Sequence, residues 1–314
     1  MSKIHDFLPP SVIERKIADR AEGEELILAK FPPETDEQLW QFFRAPEQRD
    51  PIAKIAPPNR GLSIRSDMEL AVLQHARGAP PPVVREVYRE IAATWETVIA
   101  AMDFSLTYPS GARVRPLNID FHNRVLFAAA LCGDRDLARR IARTYPIDPV
   151  DGETPQFRLR TTILHMLLAD EDDLAANASE FLTDGYSIDF PPQRIEFPLG
   201  VVKRDASVIV GAMKALKTRF NGKWTPKKYE AFHARRLAEY KRKPRGPAPT
   251  WEQSLEKVGR ELISFGWGLS VWALAFLNIA HWRGTTIDDE RAYSEWIPLG
   301  LSVATPGTVS RSSS

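Results

Sequence analysis

The sequence predicts an all-α fold: a compact array of antiparallel helical hairpins, TPR-like or solenoid-like, around a buried C-terminal helix. Three observations predict it. Apolar residues recur at intervals of three and four through most of the chain, the period of a helix with one buried face. Clusters of proline, "APPN" (56–59), "APPPV" (79–83), "FPPQ" (190–193) and "KPRGPAP" (243–249), cut that pattern into helix-length pieces. Near the C-terminus, "LISFGWGLSVWALAFLNIAHW" (262–282) runs for 21 residues without Asp, Glu, Lys or Arg.

The elements follow in chain order. Residues 1–110 are expected to form a helical N-terminal region, and 111–301 a second helical domain. "SDMELAVLQHAR" (66–77) opens with Ser66, and Glu69 follows three residues later, the pattern of a capping box. "PPVVREVYREIAATWETVIAAM" (81–102) starts with proline in its first turn and lines up Val84, Val87, Tyr88, Ile91, Trp95, Val98 and Ile99 on one face. Extended candidates are short: "GARVRPLNI" (111–119) and "RIEFPLGVV" (194–202). "LFAAALCGDRDLARRIARTYP" (126–146) and "ILHMLLADEDDLAANASEFL" (163–182) echo each other. Leu131 matches Leu168, Asp134 matches Glu171, and Asp136-Leu137-Ala138 matches Asp173-Leu174-Ala175, at an offset of 37 residues. That offset is one helical hairpin, the unit of stacked arrays. The tail "SVATPGTVSRSSS" (302–314) is disordered by composition.

The uncharged run meets the length of a membrane span. Ser264, Ser270, Asn278 and His281 lie within it, however, and no second such run exists. Read as a helix, it carries a mostly small seam (Gly266, Ser270, Ala273, Leu277, Ala280) and a bulky one (Phe265, Leu269, Trp272, Phe276, Ile279). A helix apolar all round is buried all round, and the central helix of a protein core is the favoured reading.

Composition excludes several classes. Hydrophobic residues make up 43% and charged residues 26% of the 314, an ordinary globular balance. The formal net charge of +1 offers no global field for nucleic acid or membrane. One cysteine, Cys132, rules out an internal disulfide framework and a Cys-only metal site, and its apolar surroundings mark it as a small buried hydrophobe. The N-terminus lacks the charged-then-apolar pattern of a secretory signal, so a cytoplasmic place of work is expected. Charge is uneven along the chain. Residues 203–245 hold fourteen Lys or Arg against three acids, a local excess of +11, while "DEDD" (170–173) and "DDE" (288–290) form acidic poles. The strip reads either as a phosphate-meeting or acid-meeting surface or as two solvated helices, the second being favoured.

Catalytic signatures are missing from the sequence. The six histidines are scattered, and "DFH" (120–122) offers two metal ligands without a third. "GWGLSVW" (266–272) has Trp272 where a nucleophile elbow needs glycine. "NGKW" (221–224) has Trp224 where a phosphate loop needs a hydroxyl. "GWG" lacks the third glycine of a dinucleotide fingerprint. No cofactor and no metal are expected, and a binding protein is favoured over an enzyme.

The segment "FGWGLSVWALAFLNIAHWRGTTIDDERAYSEWIPLGL" (265–301) resembles the C-terminal end of bacterial toxin-immunity families. It is similar to immunity family 49 of polymorphic toxin systems, and to the helical immunity group that guards against PD-(D/E)xK-type toxin nucleases. The resemblance covers residues 117–301, with "LFAAALCGD" (126–134) as an early helix-turn element. Trp296-Ile297-Pro298 stands where those families close on a tyrosine, and the first 110 residues fall outside the likeness. What it implies is an all-helical cytoplasmic protein of interbacterial competition. Such a protein binds one cognate toxin effector domain, encoded nearby and delivered by contact-dependent or type VI-like secretion, and occludes its active site. Against a basic nuclease cleft, Asp170, Glu171, Asp172, Asp173, Asp288, Asp289 and Glu290 would imitate phosphate; each reads equally as a capped, solvated turn. The alternative is a helical nucleic-acid-binding protein using 203–245, with Tyr229, Phe232 and Tyr240 among its lysines.

Overall fold

The computed structural model describes residues 8–44, 64–102, 104, 119–182, 193–223, 225–264 and 270–302. Among them the regular structure is helical, with no strand beyond an isolated bridge between Ser294 and Ile297. The N-terminal helices are α1 (Pro10–Lys30), α2 (Asp36–Arg44), α3 (Ile64–Ala76) and α4 (Pro81–Ala100). Next come α5 (Ile119–Leu131), α6 (Arg135–Thr144), α7 (Gln156–Leu168), α8 (Asp172–Glu180) and α9 (Gln193–Lys203). Then follow α10 (Ala206–Lys223), α11 (Pro226–Arg242), α12 (Trp251–Ser264) and α13 (Val271–Trp282).

Neighbours in sequence pack on each other: α3 on α4, α5 on α6, α7 on α8, α9 on α10, and α11 on α12. Three of the turns share one device. Asp170 (φ 63°) and Arg204 (φ 55°) adopt the left-handed conformation just past α7 and α9. The next amide donates back into the finished helix, Glu171 N to Met166 O at 2.8 Å and Asp205 N to Gly200 O at 2.8 Å. Gly78 (φ 84°) does the same after α3, with Ala79 N donating to Gln74 O at 3.0 Å. This closure satisfies carbonyls that a helix end leaves open. The 37-residue echo is visible in it, because Gly133 (φ 83°) and Asp170 occupy matched positions. Asp134 then caps α6 by accepting from Leu137 N at 2.9 Å, and Asp205 caps α10 through Ser207 N (2.9 Å) and Val208 N (3.2 Å).

Helix α13 lies against α5, α7 and α9, the first helices of three successive pairs. Every residue from Ala273 to Ala280 is buried. Alanines 128–130 on α5 and Ala273, Ala275 and Ala280 on α13 keep both surfaces low. Asn278, fully buried, donates its amide to Ala130 O at 2.9 Å. Among the described residues no helix is long and apolar enough to cross a membrane.

Helix α4 buries the expected face, Val84, Tyr88, Ile91, Trp95, Val98 and Ile99, with Val87 half-buried and Ala92 added. It packs on α5 and α6 as well as α3, so contacts run across residue 110. Its Arg85 donates to Gly300 O (3.0 Å) and Ser302 O (2.7 Å), holding the C-terminal segment in place. The N-terminus is anchored at α12, where a side chain on Gly259 would run into the buried Leu8.

Four expectations need correction. The run 262–282 is not one helix: α12 ends at Ser264 and α13 begins at Val271. Ser270 lies outside the helix with ψ 75°, its N–H donated to Trp296 O at 2.7 Å. Two glycines within the run each cost a helix about 1 kcal/mol relative to alanine, which favours a break; Phe265, Gly266 and Leu269 of the two seams lie outside the described residues. Helix α3 starts at Ile64, so Ser66 is inside it, and Glu69 forms an ion pair with Arg20 of α1 instead of a capping box. True capping boxes occur at Thr35–Gln38 (2.8 and 3.2 Å) and Thr250–Gln253 (3.1 and 3.2 Å). Residues 194–202, an extended candidate, belong to α9 despite Pro198, because Ile195, Phe197 and Val201 are buried by helical packing against α10 and α13. Residues 111–118 of the other extended candidate lie outside the described residues. Ser302, the first residue of the expected tail, is fully buried; 303–314 lie outside the described residues.

Candidate functional site

The acidic poles and the basic strip meet each other. Asp170 accepts from Arg139 Nη2 (3.3 Å) and Arg143 Nη2 (3.0 Å) of α6, with Arg135 at 3.7 Å. Asp172 bridges Arg204 (3.2 Å) and Arg283, whose side chain is only 10% exposed. The Arg283 hydrogen bond holds the Asp172 carboxyl below the usual range. Asp289 pairs with Lys214 at 2.6 Å and accepts from Arg291 N at 3.0 Å, and Lys214 holds its carboxyl low too. Lys217 donates to the carbonyls of Arg291 (3.1 Å) and Tyr293 (3.3 Å). Three of the seven candidate carboxylates are therefore joints between helices, neither open phosphate mimics nor simple solvated turns. Glu171, Asp173, Asp288 and Glu290 have exposed side chains.

With Arg204, Lys214 and Lys217 engaged, most of the exposed cations of the strip lie on α11 and the turn after it. Between Thr225 and Arg245 stand eight Lys or Arg against two acids, and Lys227, Arg235, Lys241, Arg242, Lys243 and Arg245 are exposed. Of the three aromatic residues expected to serve a nucleic acid, Tyr229 is buried and Phe232 packs partly against the core; Tyr240 is half-buried. Stacking needs an open ring face, which Tyr229 does not offer.

The histidine of "DFH" is placed where the sequence did not indicate. His122 on α5 and His165 on α7 meet in the core with ring centroids 5.2 Å apart. Trp95 Nε1 donates to His122 Nδ1 at 3.2 Å, and the ring stacks on Tyr145 at 3.7 Å. Nε2 of His122 has no partner. His165 Nε2 lies 2.7 Å from Ala142 O, a carbonyl that only accepts, so this nitrogen carries the proton. Burial pushes both imidazoles below their ordinary range, His122 furthest, and the neighbouring His165 adds to the shift of His122. The pair is neutral core, and among the described residues no group of three or more metal-ligating side chains occurs. Cys132 is buried as expected; its thiol donates to Ala129 O at 3.1 Å, and burial pushes it up to about 11.

Two surface features remain. An open cleft of about 800 Å³ lies where the end of α3 meets the C-terminal segment, between Pro10, Pro81 and Pro298, with His75, Arg77 and Glu295 around it. The second is apolar. Five of the nine large apolar side chains exposed among the described residues fall between 26 and 40: Leu26 (65%), Ile27, Leu28, Phe31 and Trp40. Between Asp19 and Trp40 the chain holds seven acids and two bases, a local charge of −5. These residues fall close together in sequence, on α1, its C-terminal cap and α2, where scattered single ones would need no explanation. Sequence patterning did not single them out because Leu26, Ile27 and Leu28 share α1 with Ile13, whose burial makes the whole element read as core-facing.

No family model, no curated protein and no solved structure matches the chain.

Proposed function

We propose that the chain is an immunity-type binding protein: a solenoid-like helical stack, closed on its own C-terminal helix, that captures one toxin effector domain and blocks its active site. The observation that carries this reading is the run of exposed apolar side chains set among acids at 26–40. Water-exposed Leu and Phe side chains on an otherwise well-packed stack mark a surface that another protein covers. Binding energy of this kind concentrates in a few buried anchors, while the surrounding charges speed encounter and exclude wrong partners. The likeness of 265–301 to the immunity families supplies the class of partner.

The test is co-expression with the secreted toxin encoded beside this gene. A stable complex on size exclusion and rescue of growth are expected. Cell death despite co-expression, with no complex formed, overturns the proposal, as does a neighbourhood of metabolic genes alone. A second reading, nucleic acid bound along α11, is favoured by the exposed cations there, Lys227, Lys228, Arg235, Lys241 and Arg242. It requires a labelled oligonucleotide to bind at roughly 50 mM salt and to dissociate steeply as salt rises. No binding at low salt is the result expected.

A further inference from the structure

Helix α11 has one covered face and one open one. Tyr229 is buried, and Phe232, Leu237 and Tyr240 are half-buried. On the same side, His233 and Arg236 reach Ser254 of α12 at 2.9 and 3.0 Å, and the His233 ring meets Trp251 edge-on at 5.2 Å. Both helix ends are described, Thr225 before the first turn and Lys243 after the last, so the spacing of the outer face is defined along its whole length. Opposite the α12 side, at helical spacing, Ala231, Ala234 and Ala238 form a line, with Lys227 before it and Lys241 after it, all exposed. Lys228, Arg235 and Arg242, also exposed, follow one edge of that line at intervals of seven residues. At a rise of about 1.5 Å per residue these cations repeat every 10 Å or so. Glu230 and Glu239 are the acids of this face.

Cations on and beside α6, α9 and α10 are paired across helices: Arg143 with Asp170, Arg204 with Asp172, Lys214 with Asp289. On α11 the pattern changes. Lys227, Arg235, Lys241 and Arg242 meet no carboxylate among the described residues. A line of alanines at spacings of three and four lets a second helix approach to about 8 Å, the close end of helix packing. Charges repeated every seven residues beside such a seam stand where a coiled coil sets its partner choice. The face therefore has the form of one half of a helix pair, with its charges unanswered.

The chemistry selects among occupants. A second copy of α11 would set cations against cations. A nucleic-acid groove is read by hydrogen-bonding side chains, and the alanines on the central line have none to offer a base edge. A membrane-lying helix carries large apolar side chains on its buried side, and none is exposed on α11. We infer that the outer face of α11 docks one helix of a partner protein. That helix carries Asp or Glu at seven-residue intervals along its contacting edge and large apolar residues along its seam. The surface is separate from the run at 26–40 and goes beyond the reading above.

The experiment measures binding of the full chain to a synthetic helix of about three heptads, with Leu at the seam and Glu in both flanking rows, and to the same helix with Lys for Glu. The Glu helix is expected to bind at roughly 50 mM salt and to weaken as salt rises, and the Lys helix is expected not to bind. Arg235→Glu with Arg242→Glu is expected to weaken the Glu helix about tenfold and to acquire binding to the Lys helix, a gain that a damaged protein would not show. Ala234→Gln keeps helix propensity but fills the seam, and is expected to weaken the Glu helix about tenfold with its salt dependence unchanged. Failure of the wild-type chain to bind the Glu helix, equal binding of the two helices, or unaltered preference in the charge-reversed variant overturns the inference. So does tighter binding to duplex DNA or to phosphatidylserine vesicles, which assigns the face to phosphate. The toxin takes no part in this test, so these failures leave the toxin-binding reading standing.

Discussion

Truncating Phe276 to alanine is expected to destabilise the fold by about 3–5 kcal/mol, most of what a domain of ordinary stability has to lose. Phe276 is fully buried in the middle of α13, the helix that α5, α7 and α9 all touch. Removing its ring takes apolar contacts away and leaves a cavity that three helices, each tied into its own pair, cannot close by moving inward. The cost is therefore expected at the upper part of the usual range. Urea denaturation checks it through a fall in midpoint at constant slope. Leu26→Ala is the control. That residue is 65% exposed and on the opposite side of α1 from the buried stripe, so its truncation leaves the midpoint where it was. A Phe276→Ala protein as stable as the parent would mean that α13 is peripheral.

The second large effect is acid sensitivity. His122 and His165 are both held neutral by burial, with folded values below the ordinary 6.5. Below pH 6.5 the unfolded chain takes up protons on these rings that the folded chain refuses. Stability is therefore fully present above that pH and declines as pH falls. Each histidine so held contributes a slope of about 1.4 kcal/mol per pH unit until its folded value is reached. His75 and His281 shift in the same direction, also through burial. The hydrogen bond to the Ala142 carbonyl, and after it the charge of Asp148, oppose the shift at His165, so His122 carries the larger share. Denaturation at intervals from pH 7.5 to 5.0 is expected to show a steep loss. His122→Phe is expected to start lower, because Trp95 Nε1 loses its acceptor, and to fall less steeply. A profile for the parent that is flat to pH 5 contradicts this.

Local physics made much of the fold readable. The face of α4 follows from spacing alone, and the 37-residue echo anticipated two turns whose left-handed residues fall at matched positions. Turn chemistry at Thr35–Gln38 and Thr250–Gln253 was equally legible, as Thr-x-x-Gln, but competed with a stronger-looking Ser-x-x-Glu at 66–69. Glu69 went to Arg20 because an ion pair across α1 and α3 was within reach, and only tertiary structure supplies that. The ion pairs of Asp170, Asp172 and Asp289 were hidden for the same reason. Asp172 meets Arg283, 111 residues away, and Asp289 meets Lys214, 75 residues away, separations that local pattern does not report.

Amide hydrogen exchange, run on the chain alone and on the chain saturated with its toxin domain, bears most directly on the claim that a stack closed on α13 binds through the end of α1. The amides of Leu274 to Ala280 should exchange slowest in both samples, at the rate of global unfolding. New protection on complex formation should fall on residues 26–40. Protection gained at 170–173 or 288–290 with none on α1, or exchange in α13 as fast as in the exposed helix α11, would contradict it.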